Sequence, residues 1–186
     1  MEGAQRLGEV MAKRGLVLVY GGGDVGLMGQ LARAHDAAGG KVIGVIPQAL
    51  APRELSGEGV QPENTIFTET MHERKQIMAE LSDAFLCLPG GFGTIEEVVE
   101  AITWTQLGIH RKAIGLLNIA NYWDPLFAMF QSAVEEGFVR HKQLDIMLLD
   151  EDIDRLLDKL LAHQPPKGLS QTWSTGATPP LGLAQT

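Results

Sequence analysis

Twice in this chain a short apolar run ends in clustered glycines and passes at once into helical spacing. Residues 16–20 lead into Gly21-Gly22-Gly23-Asp24-Val25-Gly26, and residues 84–88 lead into Pro89-Gly90-Gly91-Phe92-Gly93-Thr94-Ile95-Glu96-Glu97. Apolar runs of strand length with no polar alternation are strands covered on both faces, and their alternation with helices gives a mostly parallel sheet. The pattern recurs at 41–46, at 113–117 before Asp124-Pro125, and at 146–149 before the helical spacing of Ile153, Leu156, Leu157, Leu160 and Leu161. The expected fold is therefore α/β, a Rossmann-like, doubly wound, mostly parallel sheet with helices on both faces. Ligands of such sheets bind at the carboxyl ends of the strands, where both glycine turns fall.

The second turn has three glycines in four residues, so its N–H groups and the helix N-terminus after it are open to an anion, most simply a phosphate. A second reading stays beside this one. Thr94 and Glu97 have the spacing of a capping box, and Glu96 and Glu97 suit the positive end of the helix dipole. Helical phasing puts Ile95, Val98, Val99 and Ile102 toward the sheet and Glu97, Glu100 and Trp104 opposite. Glu97 is then placed either to cap or to do chemistry.

The first turn fits the G-x-G-x-x-G spacing, but a dinucleotide site also expects an acidic residue at the end of the next strand. Here that strand ends in Pro47-Gln48. The turn is instead expected to serve another ligand, or packing alone. A helix from about 25 to 38 carries Gly26, Gly29, Ala32, Ala34 and Ala37 for close approach, and residues 51–64, with Pro52-Arg53-Glu54, read as a long functional loop. Thr70 and Glu73 form a capping box for a helix to about Leu81. Its apolar arc of Met71, Ile77, Met78 and Leu81 also contains Arg74. A guanidinium on a buried stripe calls for an anion, an acidic partner, or a packed stem with an escaping head.

Net charge −8 and a pI near 5.1 exclude a nucleic-acid surface. No apolar run is long enough to span a membrane and no signal-peptide pattern opens the chain, so a cytoplasmic protein is expected. Cys87 reads as an inert thiol inside a strand. His72, His110 and His141 lack ligand spacing, so neither metal nor cofactor is expected. In the helix after Asp124-Pro125, Leu126, Met129, Phe130, Ala133 and Val134 are predicted to face inward. Trp104, Leu107 and Ile109 cluster off the sheet-facing stripe and suggest a homodimer. Residues 1–163 read as one Rossmann-like domain and residues 164–186 as a disordered tail.

Together, Gly21 to Gly29, Pro52-Arg53-Glu54-Leu55, Met71-His72-Glu73-Arg74-Lys75, Pro89 to Glu97 and Ile102 to His110 resemble the LONELY GUY (LOG) family of cytokinin riboside 5′-monophosphate phosphoribohydrolases. The resemblance covers about residues 4–162. It implies hydrolysis of the N-glycosidic bond of an N6-substituted adenosine monophosphate to free base and ribose 5-phosphate. It places the catalytic pair at Arg74 and Glu97. The nucleotide contacts fall at Glu54, Arg74, Lys75, Gly91, Phe92, Gly93, Thr94, Ile95, Glu96, Glu97 and Thr103. A homodimer is implied too. The family's older label, lysine decarboxylase, has no support in these residues. One departure stands out: the family's first strand, with its glycine-serine turn, is absent from this sequence. That strand is expected between the strands at 16–20 and 84–88.

Overall fold

The computed structural model describes residues 1–54 and 64–163, in two compact units, Met1–Asp83 and Ala84–Thr186. The tail from residue 164 and the loop residues 55–63 lie outside the described residues.

The first unit runs α1 (Glu2–Lys13), β1 (Leu18–Tyr20), α2 (Gly26–Ala37), β2 (Val42–Pro47), the single turn α3 (Ala51–Glu54), β3 (Asn64–Thr68) and α4 (Met71–Leu81). Its strands form a parallel sheet in the order β1-β2-β3, with Leu18 opposite Val42 and Val45 opposite Ile66. Helix α1 buries Leu7 and Met11, as its spacing predicts, and ends before Gly15, which takes the left-handed conformation at φ 68°. Helices α1 and α2 approach closely. A methyl group on Gly8 would stand 2.7 Å from the Leu31 carbonyl oxygen. Fully buried His35 fastens this layer, with Nδ1 3.1 Å from the Gly8 carbonyl oxygen and Nε2 3.2 Å from that of Lys41.

Two features of this unit depart from the sequence reading. Strand β3 was not anticipated, although Thr65, Ile66, Phe67 and Thr68 favour a strand. Part of the predicted loop is also the turn α3. One half of the predicted capping box of α4 forms: the Thr70 hydroxyl accepts from the Glu73 N–H at 3.1 Å, while the Glu73 carboxylate accepts from the N–H of Glu69, one residue before the cap, at 2.8 Å. The apolar arc of that helix is narrower than predicted, with Met71 and Leu81 exposed and Arg74 and Ala79 buried.

The second unit runs β4 (Ala84–Cys87), α5 (Phe92–Leu107), β5 (Ala113–Leu117), a 3-10 turn (Ile119–Asn121), α6 (Asp124–Glu135), a second 3-10 segment (His141–Ile146), β6 (Met147–Asp150) and α7 (Ile153–Ala162). Its parallel sheet has the order β4-β5-β6. The fully buried β5 takes α7 directly. A methyl group on Gly115 would stand 3.0 Å from Leu160, and Leu156 and Leu160 are buried. Val98, Leu116, Trp123 and Met147 form a core cluster, with Ile95, Ile102, Phe127 and Phe130 packed against it.

Val99, Met129 and Leu161 are exposed, contrary to the predicted stripes. Helical phase gives an arc some 100° wide, and the partner element decides which edge of it is covered. In α5 the fully covered positions are Val98, Ala101 and Thr105.

Both sheets are parallel and Rossmann-like, as the alternation requires, but they are two sheets of three strands where one continuous sheet would have been simplest. Among the described residues β1 pairs with β2, and β4 pairs with β5.

Candidate active site

In the first unit, the turn after β1 and the middle of α4 hold the Arg74 guanidinium. Arg74 is 8% exposed, and its Nε donates to the Val45 carbonyl of β2 at 3.1 Å. Its Nη2 occupies the place that a Cβ on residue 21 would take, with Cζ 3.0 Å from the same point. The buried guanidinium is thus seated by the backbone of two adjacent strands. Lys75 follows it, half-buried, and Glu54 closes α3; the Glu54 side chain lies outside the described residues.

Two glycines of this first turn, Gly21 and Gly22, and Gly29 in the helix after it are accounted for by the chain itself. Gly21 makes room for Arg74. Gly22 has φ 80° and packs on Ile46, and a side chain on Gly29 would collide with the Asp24 backbone.

The second glycine turn behaves differently. Gly90 is constrained, because a side chain there would collide with Thr94. A methyl group on Gly91 or Gly93 would meet nothing within 4 Å, and neither residue has a positive φ. Among the described residues, packing and backbone conformation do not require glycine at these two positions. Phe92 between them is 94% exposed.

Helix α5 also starts earlier than predicted, and this overturns the capping box of Thr94 and Glu97. The N-cap is Gly91, with no side-chain cap bond, and Phe92 is the first helical residue. Thr94 is thus the third helical residue and Glu97 the sixth, out of reach of the cap.

The charge of half-buried Glu97 acts on Cys87 of β4, whose thiol is pushed up to about 12 first by desolvation and then by that charge. Cys87 is accordingly a protonated, inert thiol. Further along α5, the exposed Thr103 donates its hydroxyl to the Val99 carbonyl at 2.7 Å.

The structure therefore gathers Gly91, Phe92, Gly93, Thr94, Ile95, Glu96, Glu97 and Thr103 on the N-cap and the first three-quarters of one helix. It places Arg74 and Lys75 together on α4. Sequence reasoning missed Tyr122, whose hydroxyl donates to the Gly90 carbonyl from 32 residues away. It also missed the seat of Arg74 at Gly21 and Val45. No sequence signal marks a backbone carbonyl as a partner.

A family model described as "possible lysine decarboxylase" matches residues 28–160. A probable cytokinin riboside 5′-monophosphate phosphoribohydrolase of Oryza sativa subsp. japonica is 48% identical over 164 residues, covering 88% of this chain and 66% of the relative. The cytokinin riboside 5′-monophosphate phosphoribohydrolase LOG of the same plant is 44% identical, with 92% and 70% covered. An Arabidopsis thaliana enzyme of that name is also 44% identical, with 88% and 76% covered. The chain thus spans about two-thirds to three-quarters of the length of these relatives.

Among solved structures, the molybdenum cofactor carrier protein of Chlamydomonas reinhardtii superposes with a TM-score of 0.62 at 26% identity, covering 86% of each chain. A molybdenum cofactor binding protein of Rippkaea orientalis gives a TM-score of 0.62 at 22% identity, covering 84% of this chain and 83% of that one, and shows the shared fold alone. With the glycine turn, Glu97 and the buried Arg74 all in place, these matches establish that the chain belongs to the LOG family.

Proposed function

We propose that this protein hydrolyses the N-glycosidic bond of cytokinin riboside 5′-monophosphates, releasing the free base and ribose 5-phosphate. The observation that carries the reading is the open turn of Gly91 and Gly93 at the start of α5, with Glu97 one and a half turns into the helix. Relatives named for this reaction at 44–48% identity support it.

In this mechanism the turn and the first helical N–H groups hold the 5′-phosphate. Cleavage of the bond between C1′ and the base nitrogen builds positive charge on the ribose, and the Glu97 carboxylate stabilises it and orients water for addition at C1′. The bonding electron pair leaves with the base, which takes up a proton, and the water loses one. Arg74 either holds an anionic group of the nucleotide or assists the leaving base. Glu54, Lys75, Phe92, Thr94, Ile95, Glu96 and Thr103 are the remaining substrate contacts in this reading.

Incubation with isopentenyladenosine 5′-monophosphate and chromatography for free base tests the reaction. The likeness to a molybdenum cofactor carrier supports a second reading, nucleotide binding without turnover. Tight binding of the monophosphate with no base released would select it.

A cytoplasmic homodimer completes the proposal. Leu107 and Ile109 at the end of α5 are 42% and 46% exposed and offer an apolar surface to a second copy. Trp104 belongs to this surface less than its phase suggests, since it is half-buried and edge-on to His110 at 6.2 Å. None of the described helices is long and apolar enough to cross a membrane. Sedimentation at micromolar concentration checks the dimer, and a monomer there refutes it.

A further inference from the structure

Tyr122 lies outside every motif that carries the proposed reaction, yet it is tied to the phosphate turn. Its hydroxyl donates to the carbonyl of Gly90. No described peptide bond is cis, and in a trans peptide the C=O and the next N–H point in opposite directions. Holding the Gly90 carbonyl against Tyr122 therefore aims the Gly91 N–H away from it, and Gly91 is the N-cap residue of α5.

The segment that presents Tyr122 is built at a cost. Ala120 and Asn121, with φ 54° and 59°, are the two non-glycine residues of positive φ among the described residues, and they stand immediately before it. Such conformations persist where the surroundings over-determine them. Here Asn118 supplies that constraint. Its N–H donates to the Asp150 carbonyl at 2.8 Å, its Oδ1 accepts from the Trp123 N–H at 2.7 Å, and its Nδ2 donates to Asp124 Oδ1 at 2.7 Å. Trp123 is 1% exposed, and the Tyr122 ring stands edge-on to it at 5.1 Å. A strained loop on a buried anchor thus delivers one hydroxyl to one carbonyl of the glycine turn.

We infer that Tyr122 is a positioning residue: it fixes the peptide between Gly90 and Gly91 and so the N–H presented to the 5′-phosphate of the nucleotide. The inference rests on the proposed reading of that turn as the phosphate site.

Tyr122→Phe keeps the ring on Trp123 and removes only the donor, so the fold is retained. Two measurements on the full chain test the role. By calorimetry, affinity for ribose 5-phosphate should fall roughly five- to tenfold, as expected for one lost hydrogen bond. In base-release assays, KM for isopentenyladenosine 5′-monophosphate should rise by the same factor with kcat within about twofold, while kcat/KM for the unphosphorylated riboside stays unchanged.

Weakened ribose 5-phosphate binding in a chain that releases no base would sustain Tyr122's role while refuting the proposed reaction. Unchanged binding and KM in the variant, equal losses on riboside and monophosphate, or a wild-type chain that binds no ribose 5-phosphate would each overturn the inference.

Discussion

The Arg74 guanidinium occupies the space that a side chain at residue 21 would need, so the glycine that ends β1 is the seat of the arginine that ends up buried on α4. Gly21→Ala sets a methyl group against Nη2, the far end of a flexible side chain, which can move aside. The fold should therefore survive with a loss of about 1 kcal/mol or less, while the displaced guanidinium lowers kcat/KM by roughly 10²-fold, the scale on which small misplacements act. A double-mutant cycle reads the coupling. Gly21→Ala should cost nothing further in an Arg74→Ala background, and additive losses would show that the glycine acts by another route.

Glu97→Gln separates chemistry from structure more sharply than the capping-box spacing would suggest. Glu97 is the sixth residue of α5 and the cap is Gly91, so the substitution removes a charge without touching the helix start. Turnover should fall by roughly 10²- to 10⁴-fold with the melting temperature unchanged. A variant that melts earlier and keeps its activity would reassign Glu97 to structure.

His110 gives the second unit a pH dependence of known sign. The Lys112 N–H and the Thr105 hydroxyl both stand 3.3 Å from its Nδ1, and its Nε2 is buried with no partner among the described residues. Desolvation, and then the charge of Lys112, lower its pKa from 6.5 to about 4. The folded state therefore resists a proton that the unfolded state accepts. Stability is full above the unfolded value and falls as pH drops from 6.5 to about 4, with little further loss from this group below that. Thermal melts across this range should show the slope, and His110→Asn should flatten it.

Much of this architecture was legible because the glycine turns and apolar runs are local signals. β5 matches its predicted run, and the Thr70 cap of α4 forms as its spacing requires. What was not legible depends on partners distant in sequence. Val99, Met129 and Leu161 lie at the edges of their helical arcs, where the facing element decides burial. The cap falls at Gly91 and not at Thr94, so the helix begins three residues sooner than the capping-box spacing predicts. Arg74 was recognisable as anomalous from its phase alone, but its seat involves a carbonyl 29 residues away. The two residues that carry the open turn, Gly91 and Gly93, stood out only as part of a motif. Their distinction from Gly21 and Gly29 needed the surroundings of each.

That distinction makes Gly93→Ala the most informative substitution in the site. Gly93 is the second residue of α5, has an ordinary φ, and has nothing within 4 Å of the position a methyl group would take. Alanine there restricts the unfolded chain and favours the helix, so the variant should gain about 0.5–1 kcal/mol and melt a few degrees higher. The same methyl group would stand where the phosphate must approach the turn. KM for the monophosphate should rise at least about tenfold, the loss expected when close backbone approach is blocked. The riboside, which makes no such approach, should be unaffected. A glycine kept where alanine is more stable is thereby explained by ligand, and a variant that is both more stable and fully active would remove the phosphate from this turn.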